Sequence, residues 1–421
     1  MSQNTFELTI DSIGNGGAGV GMRGKRPVFV PYTIPGERVI ARPVEEAERQ
    51  TLAEGVKLLD SSADRVYPVC PHFGPGRCGR CQWQHIAYEG QLLLKQDILA
   101  DHLSRISGLS DRAIESALRP TVGSPDQWGY NYQMTFNVTP DRKLAFNGAG
   151  QTFGLHSNSP FPIEVCHILH PDLLDLYHQL DLELEGIKRV KLQIGSDGER
   201  MIVLSLAQDE APELEIDLPA SVNVLLPDNE PMNLIGDSHA TYTINGQTFR
   251  ATAGSSFRAN LSQMPNLCRI VDDLLALNAD DSVLDLYAGV GVFSAFAAPK
   301  ASLVTLIESY PPAVTDADEN LSRFDNVDVI EGSVEDVLPT LEDAYDAAIV
   351  DPSSRGLSKE ALDSLVGTQA ARIVYLSEDA ASLARDAKRL LAQGYRLESA
   401  QPIDSAPQTY YFDIAALFVR K

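Results

Sequence analysis

The stretch VLDLYAGVGVFSAFAA, residues 283–298, decides the fold. It begins as an apolar strand with Asp285 near its end, turns on Gly289 and Gly291, and continues as an apolar helix. Glycines at such a turn let the backbone approach a ligand closely, and the following helix N-terminus offers N–H groups that have no partner within the helix. The next strand, SLVTLIE (302–308), ends in Glu308, at the spacing of a carboxylate that accepts hydrogen bonds from ribose hydroxyls. A third strand, residues 327–330, leads to Gly332-Ser333-Val334-Glu335, placed to border an adenine.

Outward from this motif, an α/β alternation runs from about residue 262 to the end of the chain, with a helix up to Leu277 and further strands at 301–307 and 347–350. The pattern predicts a doubly wound domain. One Gly-x-Gly alone is weak, because any tight strand-to-helix turn uses it. Three strand ends with consistent polar chemistry favour S-adenosylmethionine over a purely structural turn, and Ser294 in place of a third glycine disfavours a dinucleotide.

The remaining 250 or so residues of the 421 read differently. Residues 1–59 carry short alternating strands, with Phe6, Leu8 and Ile10 on one face, a glycine-rich turn from Gly14 to Gly21 and two strands within RPVFVPYTIPGERVIARPV. A small all-β, OB-like barrel fits, and Arg23, Lys25 and Arg26 near its turn read equally as a nucleic-acid platform or as solvated turn charges. A helical stretch at 91–109 places Leu92, Leu93, Ile98, Leu99 and Leu103 on a core face. Residues 128–250 suggest an antiparallel sheet domain with a helical piece from Pro171 to Leu180.

Cys70, Cys78 and Cys81 stand in CPHFGPGRCGRCQWQH, and Cys166 in EVCHILHP. Four thiolates hold either a cubane iron-sulfur cluster or one zinc, and the cluster is preferred. Cys268 sits among apolar helix residues and reads as core. Five cysteines without a secretory leader disfavour a disulfide framework and point to a reducing, cytoplasmic setting. No apolar run is long enough for a membrane span. The formal charge of -24 opposes nucleic-acid binding if spread evenly, but acid is concentrated in runs such as Asp209 to Asp217, Asp316 to Glu319 and Glu331 to Asp336.

The ordered series GNGGAGVG, VPYTIPGERV, CGRC, WGYNYQMTF, GLHSNSPFPIEVC, SSFRAN, DLYAGVG, DPSSRG, YLSEDAASLARD and PIDSAPQTYYFD resembles, over nearly the whole chain, the TRAM-domain, iron-sulfur RNA uracil-5-methyltransferases. The resemblance implies a TRAM barrel at 1–59, an α+β central domain at 60–247 bearing the cysteines, and a class I methyltransferase domain at 248–421, with the helix at 91–110 packed on the catalytic domain. It implies a [4Fe-4S] cluster on Cys70, Cys78, Cys81 and Cys166. It also implies a S-adenosylmethionine pocket built from Arg258, Asp285, Tyr287, Gly289, Gly291, Glu308, Glu335 and Asp351.

On the substrate side this chain departs from the family pattern. The family reads Ser-Cys-Asn-Pro-x-Thr-Leu-Ala-Arg-Asp where this chain has Ser377-Glu378-Asp379-Ala380-Ala381-Ser382 before Leu383-Ala384-Arg385-Asp386, so Glu378 holds the nucleophile's position. Arg258 replaces a glutamine, Asp351-Pro352-Ser353-Ser354 replaces Asp-Pro-Pro-Arg, and Tyr411-Phe412-Asp413 replaces His-x-Glu, leaving Asp413 at the base's position. Thiolate adds to carbon 6 of uracil and later leaves; a carboxylate is poorly suited to that role. The expectation is a monomeric, S-adenosylmethionine-binding protein of the rRNA or tRNA uridine-5-methylating type, acting on RNA, whose usual covalent route is lost. The alternatives are a noncatalytic RNA-binding or ribosome-associated factor, and methylation of an exocyclic amine oriented by Glu378 or Asp351.

Overall fold

The computed structural model describes residues 5–14, 16–148, 161–180, 184–210 and 217–421. Residues 154–160 of the GLHSNSPFPIEVC motif and 211–216 of the first acidic run lie outside the described residues. The chain divides into two compact units, the first formed by Met1–Lys95, Phe136–His167 and Ala406–Tyr410, the second by the remainder.

In the first unit, strands Phe6–Thr9, Ser12–Ile13, Gly19–Arg23, Arg26–Val30, Arg38–Glu46 and Thr51–Asp60 form one sheet. The first two are a single strand broken at Ile10-Asp11. One part pairs with Arg38–Glu46 and the other with Gly19–Arg23, so the sheet order returns to its start. Arg26–Val30 pairs in parallel with Thr51–Asp60, and the remaining pairs are antiparallel. Leu8, Ile10, Val28, Val30, Val39, Ala41 and Ala53 fill the interior, which the strand alternation of the sequence foreshadows.

A buried ion pair anchors this unit. The Glu37 carboxylate, with a fully buried side chain, accepts from Arg65 Nε at 2.6 Å and Nη2 at 2.7 Å, and from the Ile34 and Ser62 amides at 2.9 and 3.2 Å. Removing one member of such a pair leaves an uncompensated buried charge and strands its donors.

The helix Tyr88–His102 differs from the sequence expectation at its start, because Leu93 is 63% exposed while Gln91 and Lys95 are buried. The reason is polar. Gln91 Nε2 donates to the carbonyls of Trp83 and Ile86 and to Gln408 Oε1, and Lys95 Nζ donates to the Ala406 carbonyl. Backbone acceptors on this side outweigh one leucine's burial. Further on, Ile98, Leu99 and Leu103 are buried as expected. The π-helical turn Leu103–Ser107 packs on the helix Ala380–Ala392 within the second unit.

Among the described residues, the second unit holds two larger sheets and the hairpin of His239–Ile244 with Gln247–Thr252. Strands Ile187–Ile194, Arg200–Leu206, Ser221–Leu225 and Pro231–Ile235 lie side by side, preceded by the helix Pro171–Gln179. The antiparallel expectation is corrected at one place: Arg200–Leu206 and Ser221–Leu225 run parallel. Fourteen or so intervening residues give the chain the length a crossover requires, which a tight hairpin would not.

The C-terminal sheet has seven strands in the order Val327–Glu331, Leu303–Glu308, Ser282–Leu286, Ala347–Val350, Arg372–Ser377, Asp413–Arg420, Tyr395–Ile403. Ser282–Leu286 pairs in parallel with strands on both sides, so the winding reverses beside it. Asp413–Arg420 is antiparallel to Arg372–Ser377, with Ile414 opposite Ser377. Its first residue therefore lies at the same sheet edge as the carboxyl ends of the parallel strands.

Asp316, the first residue of the second acidic run, is fully buried. Its carboxylate accepts from Arg250 Nε at 2.8 Å, the Thr252 amide at 2.6 Å and hydroxyl at 2.8 Å, and the Ser255 hydroxyl at 3.1 Å. It ties the helix Pro311–Leu321 to the hairpin before the site.

Replacing Glu37 by alanine is expected to cost about 3 kcal/mol or more of stability in the first unit, read by urea unfolding followed with a probe in the Phe6–Asp60 sheet. A loss within a few tenths of a kcal/mol would show that the pair contributes little beyond what it costs to bury.

Candidate functional site

Strand order brings the polar ends together. Asp285 is the penultimate residue of Ser282–Leu286, Glu308 the last of Leu303–Glu308, Asp351 follows Ala347–Val350, and Glu378 follows Arg372–Ser377. Leu286 lies opposite Val350, and the Asp351 amide donates to the Leu286 carbonyl at 3.2 Å. Open α/β sheets bind ligands in the crevice outside such strand ends, where the winding reverses.

Gly291 opens the helix Val292–Ala297 at φ 81°, and a Cβ there would meet Leu321 Cδ1 at 2.8 Å, so packing demands glycine. Gly289, at φ 56°, has different surroundings: a Cβ would find nothing nearer than the Ser256 carbonyl at 3.9 Å. Its missing side chain leaves open space above the turn. Tyr287 also lies in the left-handed region, at φ 60°, a conformation that is sterically costly for a bulky residue. Its hydroxyl donates to Glu335 Oε1 at 3.3 Å, and Ser358 Oγ donates to the same oxygen at 2.9 Å.

Glu308 is turned onto backbone. One oxygen accepts from the Gly289 amide at 2.9 Å, the other from the Ser309 and Tyr310 amides at 2.7 Å each. The Ser309 hydroxyl also donates to that second oxygen at 3.4 Å, so it is Oε2, with one donor, that keeps a lone pair for a ligand hydroxyl.

Asp285 is fully buried; Oδ2 accepts from Ser294 Oγ at 2.7 Å, whereas Oδ1 has no partner among the described residues. Burial pushes its pKa up to about 7; Ser294 works against this, and the charges of Asp351 and Glu308 add to it. A buried carboxylate oxygen without a donor is rare unless a ligand supplies one.

The substrate-side residues form one charged cluster. Arg258 grips Asp351 with both Nη groups, at 2.8 and 2.9 Å, and donates through Nε to Asp413 at 3.1 Å. The Arg258 side chain lies over the Phe293 ring, 5.8 Å from its centroid. Burial alone would lower the guanidinium's pKa, but Asp351, Asp413 and Glu378 hold it well above the usual value. Asp413 is pushed up by burial, opposed by Arg258 and aided by Asp351. Glu378 is exposed and, among the described residues, has no hydrogen bond or ion pair of its own. Its carboxyl is pushed up by partial desolvation and then by Asp413, against the pull of Arg258. Solvent screens part of that push.

Leu383-Ala384-Arg385-Asp386 supports this cluster from behind. Asp386, fully buried, accepts from Tyr375 Oη and the Leu357 amide at 2.8 Å each, while Ser382 Oγ donates to the Ser354 carbonyl at 2.7 Å. The loop after Asp351 is thus fastened to the helix after Glu378. Cys268, whose thiol senses the Arg258 charge, is packed in the core, and burial pushes it up to about 12.

In the first unit, Cys70, Cys78, Cys81 and Cys166 line one cavity with Phe73 and Ile163, and none of them forms a disulfide. Burial raises Cys81 first, and the neighbouring charges of Cys166, Cys78 and Cys70 raise it further, so the four sulfurs are mutual neighbours. Among the described residues, no three His, Cys, Asp or Glu side chains stand where they would hold a single metal ion.

Sequence reasoning named Arg258, Asp285, Glu308, Asp351, Glu378 and Asp413, and the fold brings them to one sheet edge. It missed Ser358, which shares Glu335 with Tyr287, and it read Ser294 only as a missing glycine. The serine N-cap pattern before Lys359–Gly367 was the available signal for Ser358.

A doubly wound parallel sheet with a glycine turn where the winding reverses is the fold of a nucleotide-binding α/β domain. No family model matches the chain. It is 31% identical to an uncharacterized RNA methyltransferase of Streptomyces avermitilis, over 98% of this chain and 97% of that one. It is 30% identical to another of Listeria innocua, over 99% and 98%. The Pyrococcus abyssi tRNA (uracil-54, C5)-methyltransferase, solved with S-adenosyl-L-homocysteine, shares the fold at TM-score 0.76 and 22% identity, over 98% of this chain and 99% of that one. The chain belongs to the RNA methyltransferase family. No helix among the described residues is long and apolar enough to cross a membrane.

Because the folded state holds the Asp285 proton up to about pH 7 and the unfolded chain loses it near 3.8, stability from this group falls as pH rises between those values. Asp285→Asn is therefore expected to raise the melting temperature more at pH 8 than at pH 5. An equal shift at both pH values would place the Asp285 acidity in the ordinary range.

Proposed function

We propose that this chain is a S-adenosylmethionine-dependent RNA methyltransferase descended from the TRAM, iron-sulfur uracil-5 type, with the covalent uracil route replaced. The observation that carries the cofactor reading is Asp285, whose unpaired, fully buried oxygen lies beside the glycine turn at the switch in winding. A ligand ammonium is the donor that suits it. When bound, the cofactor supplies an electrophilic methyl group on a sulfonium. Asp285 orients the ligand, the space over Gly289 admits it, and Glu308 and Glu335 present acceptors to its hydroxyls and base. Arg258 is proposed to border the methyl end of that pocket rather than to grip the cofactor, since three of its five N–H groups are committed to Asp351 and Asp413.

Glu378 supports the view that the thiolate route is replaced: it stands among Arg258, Asp351 and Asp413, where the family resemblance places the nucleophile. The closed strand order at Phe6–Asp60, with Arg23, Lys25 and Arg26 at a hairpin, supports a TRAM-like RNA-binding barrel. We retain the division into 1–59, 60–247 and 248–421 as the evolutionary one.

The four thiols around one cavity suit a [4Fe-4S] cluster, in which each sulfur binds a different iron. Zinc is the alternative occupant of the same four thiols. Protein purified anaerobically is expected to contain iron and inorganic sulfide, and Cys81→Ala to lose both. Zinc in their place would overturn this assignment.

Calorimetric titration with S-adenosylmethionine tests the cofactor reading. Asp285→Ala is expected to weaken binding about 10- to 100-fold, the equivalent of one charge-assisted hydrogen bond. Transfer of a labelled methyl group to total RNA from a host strain lacking the gene tests the reaction. Absence of both binding and transfer would leave a noncatalytic RNA-associated role.

A further inference from the structure

Resting on the methyltransferase reading, we propose that the acceptor is an amine-bearing base, adenine, cytosine or guanine, methylated on its exocyclic nitrogen with Glu378 taking the proton. The geometry of the charged cluster carries this. Three carboxyl groups, Asp351, Glu378 and Asp413, surround one guanidinium, and Arg258 spends its Nε and both Nη groups on Asp351 and Asp413. Acceptors are in excess.

Ionised carboxylates only accept hydrogen bonds. An exocyclic amine brings two N–H donors to them. Uracil brings one N–H between two carbonyl oxygens, which would face oxygens of like polarity. The three carboxyls also differ in readiness. Asp351 and Asp413 are held by Arg258 and largely buried, with side chains 19% and 8% exposed. Glu378 is exposed and unbonded, so it is the one free to meet a substrate hydrogen.

The chemistry balances without a thiolate. As the nitrogen lone pair forms the N–C bond, the C–S bond breaks and its electron pair stays on sulfur. The N–H proton of the resulting cation passes to the Glu378 carboxylate, which returns it to water. Carbon-5 methylation would instead need a nucleophile at carbon 6, and the thiol that senses Arg258, Cys268, is packed in the core. The cluster adjoins the proposed cofactor site: Asp285, whose buried Oδ1 is left to the cofactor, lies on the strand adjoining Asp351.

The test is to react the full chain, purified anaerobically, with methyl-labelled S-adenosylmethionine and RNA from a host strain lacking the gene, and to identify the labelled nucleoside by mass spectrometry. Label in N-methylated adenosine, cytidine or guanosine is the expected result. Label in 5-methyluridine would overturn the amine proposal while leaving the methyltransferase reading intact, and unlabelled RNA would overturn both. A readout without transfer accompanies it: by NMR titration, adenosine or cytidine 5′-monophosphate is expected to bind at least several-fold more tightly than uridine 5′-monophosphate. Glu378→Gln, checked for an unchanged melting curve and S-adenosylmethionine affinity, is expected to abolish that preference and to lower kcat at least tenfold. A variant that keeps both the preference and kcat would remove Glu378 from the reaction.

Discussion

The fork of Arg258 between Asp351 and Asp413 is the interaction on which the rest of the site depends. It joins three segments far apart in sequence: the loop before the helix Met264–Leu275, the end of the strand Ala347–Val350, and the start of the antiparallel strand Asp413–Arg420. Two parallel N–H···O bonds fix the guanidinium plane against Asp351, and the third bond fixes its rotation. Burying a charge of this kind is costly, and only near-complete pairing makes it tolerable. The cluster therefore behaves as a unit, in which losing one member leaves the others with unbalanced charge.

Around that unit, function and stability use different carboxylates. Asp316, Asp386 and Glu37 are fully buried, and each accepts three or more hydrogen bonds; they fasten backbone segments to one another. Asp285 and Glu378 stand apart from that pattern, one buried with an unmatched oxygen, the other exposed without a partner. A net charge of -24 is therefore no guide to what any single acid does. Counting the hydrogen bonds made to each carboxyl separates those that hold the fold from those left for a ligand.

The two candidate sites differ in what builds them. The transferase site arises from strand order, because each polar residue ends a parallel strand and the sheet lines those ends up. The thiol cavity arises from irregular backbone: Cys70, Cys78 and Cys81 lie in turns, and Cys166 reaches them from a distant segment. Loops of this sort gain order from whatever their side chains bind, which is why chemistry-bearing cysteines rather than regular elements mark the place.

Much of this was legible in the sequence alone. Period-two and period-3.6 apolar patterns predict the strands of the N-terminal sheet and the doubly wound sheet, since burial of a face must recur with the geometry of the element. The turn glycines, the acids at strand ends and the cysteine spacing name nearly all the site residues. Local pattern could not show that Leu93 faces solvent while Gln91 and Lys95 go inside, because that choice depends on carbonyls of Trp83, Ile86 and Ala406 supplied by other segments. Nor could it show that Asp316 is buried, that Glu378 is unpartnered, or that Arg258 is already spent on two aspartates. Residue identity sets which bonds a side chain is able to make, and only the folded chain decides which partners come within reach.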